Sequence, residues 1–547
     1  MFKILMFSTL MLASTISLKA FAQTIALTNI NVLDVATLEI VKNQTVVIED
    51  NKIKLVTSKR KPKLSQDAIS IDMSGKYIMP GLIDTHVHHG TEPDAGDNDK
   101  ITRMRLRNLL RGGVTSVRDM GGDVRALSSL KRRAEIDIIQ SPDIYYSVII
   151  GGEEFFSDPR TVASAKGRVP GNVDWMRAVD ENTNFDEIML RALGTGATGI
   201  KIYAKVPAKV IVKLSQSAKK YGLKVWSHVF VGPARPIEAV TSGVETISHA
   251  ADFSAEVIDN FYELRRKGEN ITDQQQKESF ELSRYQSLIA QMKKHGTILD
   301  ATMTVFEQRQ EARGERGTLM HQWSKTFTKL AYENGVQVSA GTDGASDYFN
   351  MDYPLVHHEM QLLVNDAGLS PLAAIQAATL HGAEVIGIAE QYGEVVAGKV
   401  ANLVILNEDP TDDIKKTLDI AHVIKNGEFV YLGENSKLPF SSAKAIGDTL
   451  WLSGQLGNLP STMTLASKTI EGQMTQTMKN IGVLLQEHNL DYEDIAKCTL
   501  MLADINEWQA ANKAYTPFFT SLPARSAFAA SGLALGAKVE VECVAKL

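Results

Sequence analysis

Leu82-Ile83-Asp84-Thr85-His86-Val87-His88 is an apolar run that closes on two histidines two positions apart. Alternate side chains of an extended strand share a face, so His86 and His88 point to the same side. The same kind of text recurs along the chain. Val114 to Asp119, Ile144 to Ile150, Gly199 to Tyr203, Lys224 to His228, Thr246 to His249, Thr297 to Met303 and Val336 to Thr342 complete a set of eight strands, with helical stretches between them. Strands alternating with helices predict parallel βα units. Eight units make an α/β chain whose residues 80–385 form a (β/α)8 barrel, with one polar insertion from Asp252 to about Gln286.

Outward from the barrel the text changes. Thr45-Val46-Val47-Ile48 and Ile53-Lys54-Leu55-Val56 face each other across Glu49-Asp50-Asn51-Lys52, a hairpin signal. Short strands return from Gly393 to Tyr431, so residues 24–79 and 386–432 are expected to form one composite, β-sandwich-like domain that the barrel interrupts. A linker at Gly433-Glu434-Asn435-Ser436 then leads to residues 438–547, enough chain for an independent α+β domain.

Lys3, the apolar run Ile4 to Ile16, and Ala20-Phe21-Ala22 before Gln23 have the three parts of a secretory signal, with cleavage expected after Ala22. The run is shorter than the roughly 20 residues a bilayer needs. The mature protein is therefore expected to be soluble, without a membrane partner, and periplasmic or secreted. Over 547 residues Lys+Arg number 58 and Asp+Glu 64, a net charge of -6, which leaves no basic surplus for nucleic acid. The two cysteines, Cys498 and Cys543, are too few for a zinc-thiolate cluster and read as core thiols rather than a disulfide. Any metal must be held by His, Asp, Glu or Lys.

Such residues stand where barrel enzymes keep their chemistry, at the carboxyl ends of strands. The strands close on His88, His228 and His249, and just before Asp343, while Lys201 lies inside apolar Ile200-Lys201-Ile202. A lysine there is costly unless paired or chemically changed. Two readings stay open: a carbamate that bridges metals, or a buried cation paired with Asp343.

With Pro80-Gly81-Leu82-Ile83-Asp84-Thr85-His86-Val87-His88, Gly113 to Asp119, Ile200-Lys201-Ile202-Tyr203, Ser248-His249, Gly341-Thr342-Asp343-Gly344 and Gly398 to Val404, residues Thr24 to Gly433 resemble the amidohydrolase superfamily, in its imidazolonepropionase-like and Xaa-Pro dipeptidase-like branch. That resemblance implies a binuclear divalent-metal site: His86 and His88 on one ion, His228 and His249 on the other, carboxylated Lys201 bridging, and Asp343 on the first ion. Zinc suits these donors, with manganese or iron as alternatives. It also implies hydrolysis of amide C–N bonds in small molecules such as dipeptides or N-acyl amino acids, with Asp343 moving the proton from attacking water to departing amine. Gly151-Gly152-Glu153-Glu154 departs from the Gly-Gly-His-Gly of dipeptidase-like relatives, and an acid there would favour a cationic substrate group. The 252–286 insertion is a candidate lid. Tyr203 and Arg118 are each open to two readings, substrate contact or packing and pairing.

Residues Leu438 to Leu547 resemble the Rid family of reactive intermediate deaminases through Pro439-Phe440-Ser441, Leu452-Ser453-Gly454-Gln455, Pro523-Ala524-Arg525-Ser526 and Val539-Glu540-Val541-Glu542. The resemblance implies that Arg525 grips the carboxylate of an imine or enamine, that Glu540 positions water, and that the chain assembles as a homotrimer or a multiple of one. Ala527 replaces a common cysteine, which leaves activity open. Two other functions are kept: a mononuclear hydrolase or deaminase of a cyclic amidine or lactam, with Lys201 not a ligand, and a Rid-type trimer that hydrolyses or binds imines with the barrel as scaffold.

Overall fold

The computed structural model describes residues 24–58, 62–90, 98–344, 353–433 and 438–547. The expected signal, residues 1–22, and most of the expected linker lie outside them.

Eight parallel strands wind into a nearly closed barrel. In order they are Leu82–Val87, Val114–Asp119, Asp143–Gly151, Gly199–Ile202, Lys224–His228, Thr246–Ser248, Ile298–Asp300 and Val338–Ser339, each paired with its neighbour. Between the last strand and the first, closure comes from Thr85 N donating to Ala340 O (3.4 Å) and Asp343 N donating to His86 O (2.8 Å). Parallel strands covered by helices bury both faces, which is why these stretches read as apolar runs. Their side chains and those of the surrounding helices share one core, from Leu82, Val117, Val148 and Ile200 to Leu214, Phe253 and Phe327.

The insertion expected at 252–286 is helical, with Phe261–Lys267 and Asp273–Ser279 its α-helices. Outside the barrel, Thr24–Asp34, Glu39–Glu49, Lys52–Thr57, Ile69–Asp72 and Tyr77–Pro80 form one sheet with Leu403–Leu406, Ile420–Lys425 and Glu428–Phe429. The expected hairpin is there, with Glu49 opposite Lys52. The two chain segments meet where Leu403 pairs with Pro80 and Ile405 with Ile78, so the sheet clamps the start of the first barrel strand.

The C-terminal domain is a sheet in the order Ala443–Ile446, Thr449–Leu452, Val539–Lys546, Ile495–Leu502, Ala524–Ala529, with helices Ile470–Glu487 and Trp508–Tyr515 packed on one face. Alternation along Val539–Lys546 explains the packing: Val539, Val541, Cys543 and Ala545 are buried under the helices, while Glu540, Glu542 and Val544 turn to the other face. One expectation is corrected here. Cys498 and Cys543 are joined in a disulfide, because the antiparallel register sets them directly opposite with their Cα atoms 4.1 Å apart. The domain meets the rest of the chain through Lys479–Glu428 (2.6 Å) and Arg107–Glu487 (3.2 Å).

Candidate active site

At the carboxyl end of the barrel a cavity of about 710 Å³ is lined by His88, Lys201, Tyr203, His228, His249 and Asp343, among others. The structure thus gathers six of the expected residues around one space once His86, buried directly beneath, is counted in place of Tyr203. His86 Nε2 lies 3.3 Å from Lys201 Nζ and 3.5 Å from Asp343 Oδ1, and His88 Nε2 lies 3.2 Å from the same Asp343 oxygen. The His86 ring is 5.0 Å from that of His249, and His249 is 4.5 Å from His228. His86, His249 and Asp343 bring one donor atom each to within 4.8 Å of one another, a group able to hold an ion. This group takes one histidine from each of the two pairs implied by the resemblance.

The donors are aimed by groups behind them. Asp300, ending the seventh strand, holds His86 Nδ1 at 2.9 Å, which leaves Nε2 turned to the cavity. The same carboxylate accepts from Thr85 Oγ1 (2.7 Å), Ser248 Oγ (2.8 Å) and Arg118 Nη2 (3.0 Å). Burial alone would raise its pKa; the His86 hydrogen bond and the Arg118 charge more than offset that and hold it below the usual carboxylate range. His249 Nδ1 is engaged 2.9 Å from Thr302 Oγ1. Thr302 precedes the helix Met303–Gln308, whose first amides at Met303 and Thr304 donate at 2.9 and 2.7 Å to Glu359, a fully buried acid on Leu355–Asn365. Burial pushes Glu359 up to about 7.

Backbone conformation follows the same ends. His249, Thr302 and Asp343 all have positive φ, at 77°, 51° and 51°. Non-glycine residues rarely take this region and cost on the order of 1–3 kcal/mol each, so the surrounding structure must over-determine them. For Asp343 that support is Asp84, which accepts from Thr342 N (3.1 Å) and Thr342 Oγ1 (2.8 Å). Gly341 is required for a different reason: a Cβ there would sit 2.1 Å from Asp300 Oδ1 and 2.8 Å from His86 Cβ.

Charge shifts mark the same cluster. Lys201 is 1% exposed, and burial draws its amine down to about 8 despite the Asp343 charge. Burial and then the Lys201 charge draw His86 down to about 4, keeping the imidazole neutral as metal ligation requires. Burial would raise Asp343, but His86 and the His88 hydrogen bond outweigh it and hold the carboxyl well below its usual range.

Several expectations change. Arg118 is fully buried, bonded to Asp300 and stacked 4.7 Å from the Trp226 ring, so its part is pairing behind the site, whereas Tyr203 lines the cavity. Glu153 and Glu154 are exposed, with Glu154 3.3 Å from Lys205. The described wall carries Arg160, Arg309, Arg313 and Arg316, and neither Glu153 nor Glu154, the acids expected to draw a cationic group, is among its lining residues. No residue of the 252–286 insertion is among the described lining residues; the outer wall comes from Val305 to Arg316. Asp300, Thr302 and Glu359 escaped the sequence reading. Asp300 carried a usable signal, an acid inside apolar Ile298-Leu299-Asp300-Ala301, the same anomaly that singled out Lys201.

Residues 77–430 match the family model described as the amidohydrolase family. The chain belongs to the amidohydrolase family. Residues 434–547 of this amidohydrolase match a second model, described as endoribonuclease L-PSP. Over 110 residues that region is 38% identical to reactive intermediate deaminase A of Arabidopsis thaliana, covering 20% of this chain and 59% of the relative. Over 108 residues it is 36% identical to 2-iminobutanoate/2-iminopropanoate deaminase of Homo sapiens, covering 20% of this chain and 79% of the relative. The C-terminal domain is thus a Rid domain. A solved Xaa-Pro dipeptidase with bound methionine superimposes on 75% of this chain and all of its own, at 18% identity and a TM-score of 0.57, a likeness of fold.

In the Rid domain, Arg525 contacts Asn512 Oδ1 and lies over the Tyr515 ring at 5.4 Å, on the helix-covered side. Glu540 packs against Gly454, where a Cβ would meet its Oε1 at 2.0 Å. Register separates the two. Arg525 pairs with Cys498 and Glu540 with Met501, residues of opposite parity on the central strand, so within one chain they project from opposite faces.

Proposed function

We propose that the barrel is a metal-dependent hydrolase of amide C–N bonds in small molecules, dipeptides and N-acyl amino acids among them, and that the Rid domain hydrolyses imine or enamine products. The convergence of His86, His249 and Asp343 carries this reading, since neutral imidazoles and an ionised carboxylate are the donor set divalent zinc or manganese takes. When bound, the metal would activate water and polarise the scissile carbonyl. Asp343, kept ionised, would take the water's proton and deliver it to the departing nitrogen. Asp300 and Thr302 fix the two imidazoles so that no reorientation is needed during turnover. His88 and His228 stand beside this group, and Lys201, carboxylated, would extend it to a second ion.

A mononuclear form has its own support, because His86, His249 and Asp343 alone bring three donor atoms to within 4.8 Å of one another. Metal content separates the two: near two equivalents favours the bridged pair, near one the mononuclear site. Protein stripped with a chelator and reloaded should recover cleavage of members of a dipeptide and acyl-amino-acid library. Failure to retain any metal, with no amide cleaved, would refute the hydrolase reading.

Export and assembly complete the proposal. The Cys498–Cys543 disulfide is of a kind that oxidising compartments preserve, in keeping with the signal-like first 22 residues. Among the described residues no helix is long and apolar enough to cross a membrane. Trp451 (53% exposed) and Phe528 (49%) lie on the sheet face that the helices leave open, and this exposed apolar surface, which a trimer would bury, supports assembly through that face.

A further inference from the structure

We propose that Glu359 is a positioning residue for His249: it caps the helix Met303–Gln308 in place of Thr302, and so leaves the Thr302 hydroxyl to hold the imidazole. The inference rests on the reading of His249 as a metal donor. A helix leaves its first amides without an intrahelical acceptor, and a threonine just before it ordinarily turns its hydroxyl back to accept from one of them. Thr302 stands in that place and makes no such bond. Its backbone is left-handed, with φ 51° and ψ 44°, outside the extended conformation a capping residue takes, and its Oγ1 lies 2.9 Å from His249 Nδ1 instead. The amides are satisfied from elsewhere. Met303 N donates to Glu359 Oε1 at 2.9 Å, while Thr304 N and Thr304 Oγ1 both donate to Glu359 Oε2 at 2.7 Å. Glu359 is completely buried, and among the described residues no ion pair reaches it. Burying an unpaired acid is costly, and the three donors offset that cost.

The cap comes from a different βα unit. Glu359 lies on Leu355–Asn365, after the eighth strand, whereas Thr302 follows the seventh. Its neighbour His358 contacts Glu307, so two consecutive residues hold the short helix near both of its ends. Six residues are too few for a helix to hold itself, and its placement therefore depends on such contacts. The same helix carries Val305 and Phe306 into the cavity wall, with the Phe306 ring edge-on to His249 at 6.2 Å. One buried acid thus ties the direction of an imidazole to the wall beside it. Asp300 does the equivalent for His86 by direct contact, at 2.9 Å; Glu359 does it through Thr302.

The test uses the full-length protein, stripped of metal and titrated with cobalt(II) alone. Affinity is read by competition with a chromophoric chelator, donor geometry by the visible spectrum, and the fold by circular dichroism. Glu359→Gln sets an amide nitrogen where one helix amide needs an acceptor, and should weaken cobalt binding about tenfold and alter the spectrum while the fold is kept. Thr302→Val deletes the hydroxyl and should weaken binding at least as much. Because both changes act on one hydrogen bond to His249, the double variant should stay within about threefold of Thr302→Val alone. A further loss beyond that, approaching the product of the single losses, would mean that Glu359 acts independently of His249 and would overturn the proposal. Wild-type affinity in Glu359→Gln would overturn it too. Should that variant not fold, Glu359→Asp, which keeps the charge and is one methylene shorter, takes its place in the same cycle under the same criteria. Either failure leaves the hydrolase reading standing, whereas wild-type protein that binds no cobalt refutes the metal site itself and this inference with it.

Discussion

His86 Nδ1 lies 2.9 Å from the Asp300 carboxylate, and neither side chain is exposed to solvent. Carboxylate contact fixes the imidazole as the Nδ1–H tautomer, so its Nε2 lone pair faces Lys201 and Asp343. Asp300 therefore sets both the direction and the basicity of a candidate metal donor. Asp300→Asn should weaken metal affinity about 10–100-fold, measured by competition with a chromophoric chelator. It also strips buried Arg118 of its counter-charge, an imbalance worth about 3–5 kcal/mol in thermal or denaturant unfolding. Adding Arg118→Met should restore part of the stability and none of the affinity. Recovery of metal binding in the double variant would show that Asp300 acts only on stability.

Lys201 is expected to be carboxylated and to bridge two ions, because an apolar strand places its amine 3.3 Å from His86 with burial favouring its neutral form. Lys201→Ala should lose one equivalent of metal and most activity, with partial rescue by short-chain carboxylic acids. Elemental analysis showing two tightly held ions and full turnover in that variant would rule the bridge out.

Asp343 is expected to shuttle the proton. Asp343→Asn should lower kcat by orders of magnitude while the circular dichroism spectrum stays native and at least one metal is kept. A drop smaller than about tenfold, or roughly 1.4 kcal/mol of barrier, would assign the proton to another group.

Much of this architecture was legible because buried parallel strands have a plain text, and a polar residue that stops such a run is conspicuous. Lys224–His228 and Val114–Asp119 fall where periodicity puts them. Other strands are shorter than their apolar runs. Thr297 to Met303 contracts to Ile298–Asp300, since Thr302 turns left-handed and Met303 begins a helix, and reading the strand too long hid Asp300 as an interior residue instead of an end. Glu359 and the arginines from 309 to 316 reach the site from helices whose spacing along the chain says nothing of where they converge. The disulfide was hidden for a related reason. Pairing Cys498 with Cys543 needs the register of two strands 45 residues apart, and alternation fixes only which face each residue takes.

Acid should weaken the fold through His357. Its ring is completely buried, with Nε2 2.8 Å from Gly112 O and Nδ1 2.9 Å from Thr417 Oγ1, and burial lowers it from 6.5 to about 4. The unfolded chain then binds a proton that the folded one refuses. The stabilisation is complete above pH 6.5 and is lost as pH falls toward 4, by about 3 kcal/mol over that window. In His357→Gln the difference from wild type in unfolding free energy should shrink by that amount between pH 7 and pH 4. A difference that does not change with pH would mean that His357 takes up its proton equally in the folded and unfolded states.

Arg525 and Glu540 leave one sheet on opposite faces, so a pocket that uses both must draw one of them from a neighbouring copy. Subunit mixing tests this directly. Arg525→Ala and Glu540→Ala should each lose imine hydrolysis as pure assemblies. Unfolded together and refolded at equal ratio, they should regain a part of wild-type activity, because mixed trimers contain interfaces in which the intact Arg525 of one copy meets the intact Glu540 of the next. Each pure variant taken through the same refolding serves as the control. If the mixture is no more active than its components while light scattering shows a trimer, the two residues do not share a pocket between subunits. A monomeric mass at micromolar concentration would overturn the assembly itself, and the separation of the two faces would then leave Arg525 without Glu540 as a partner.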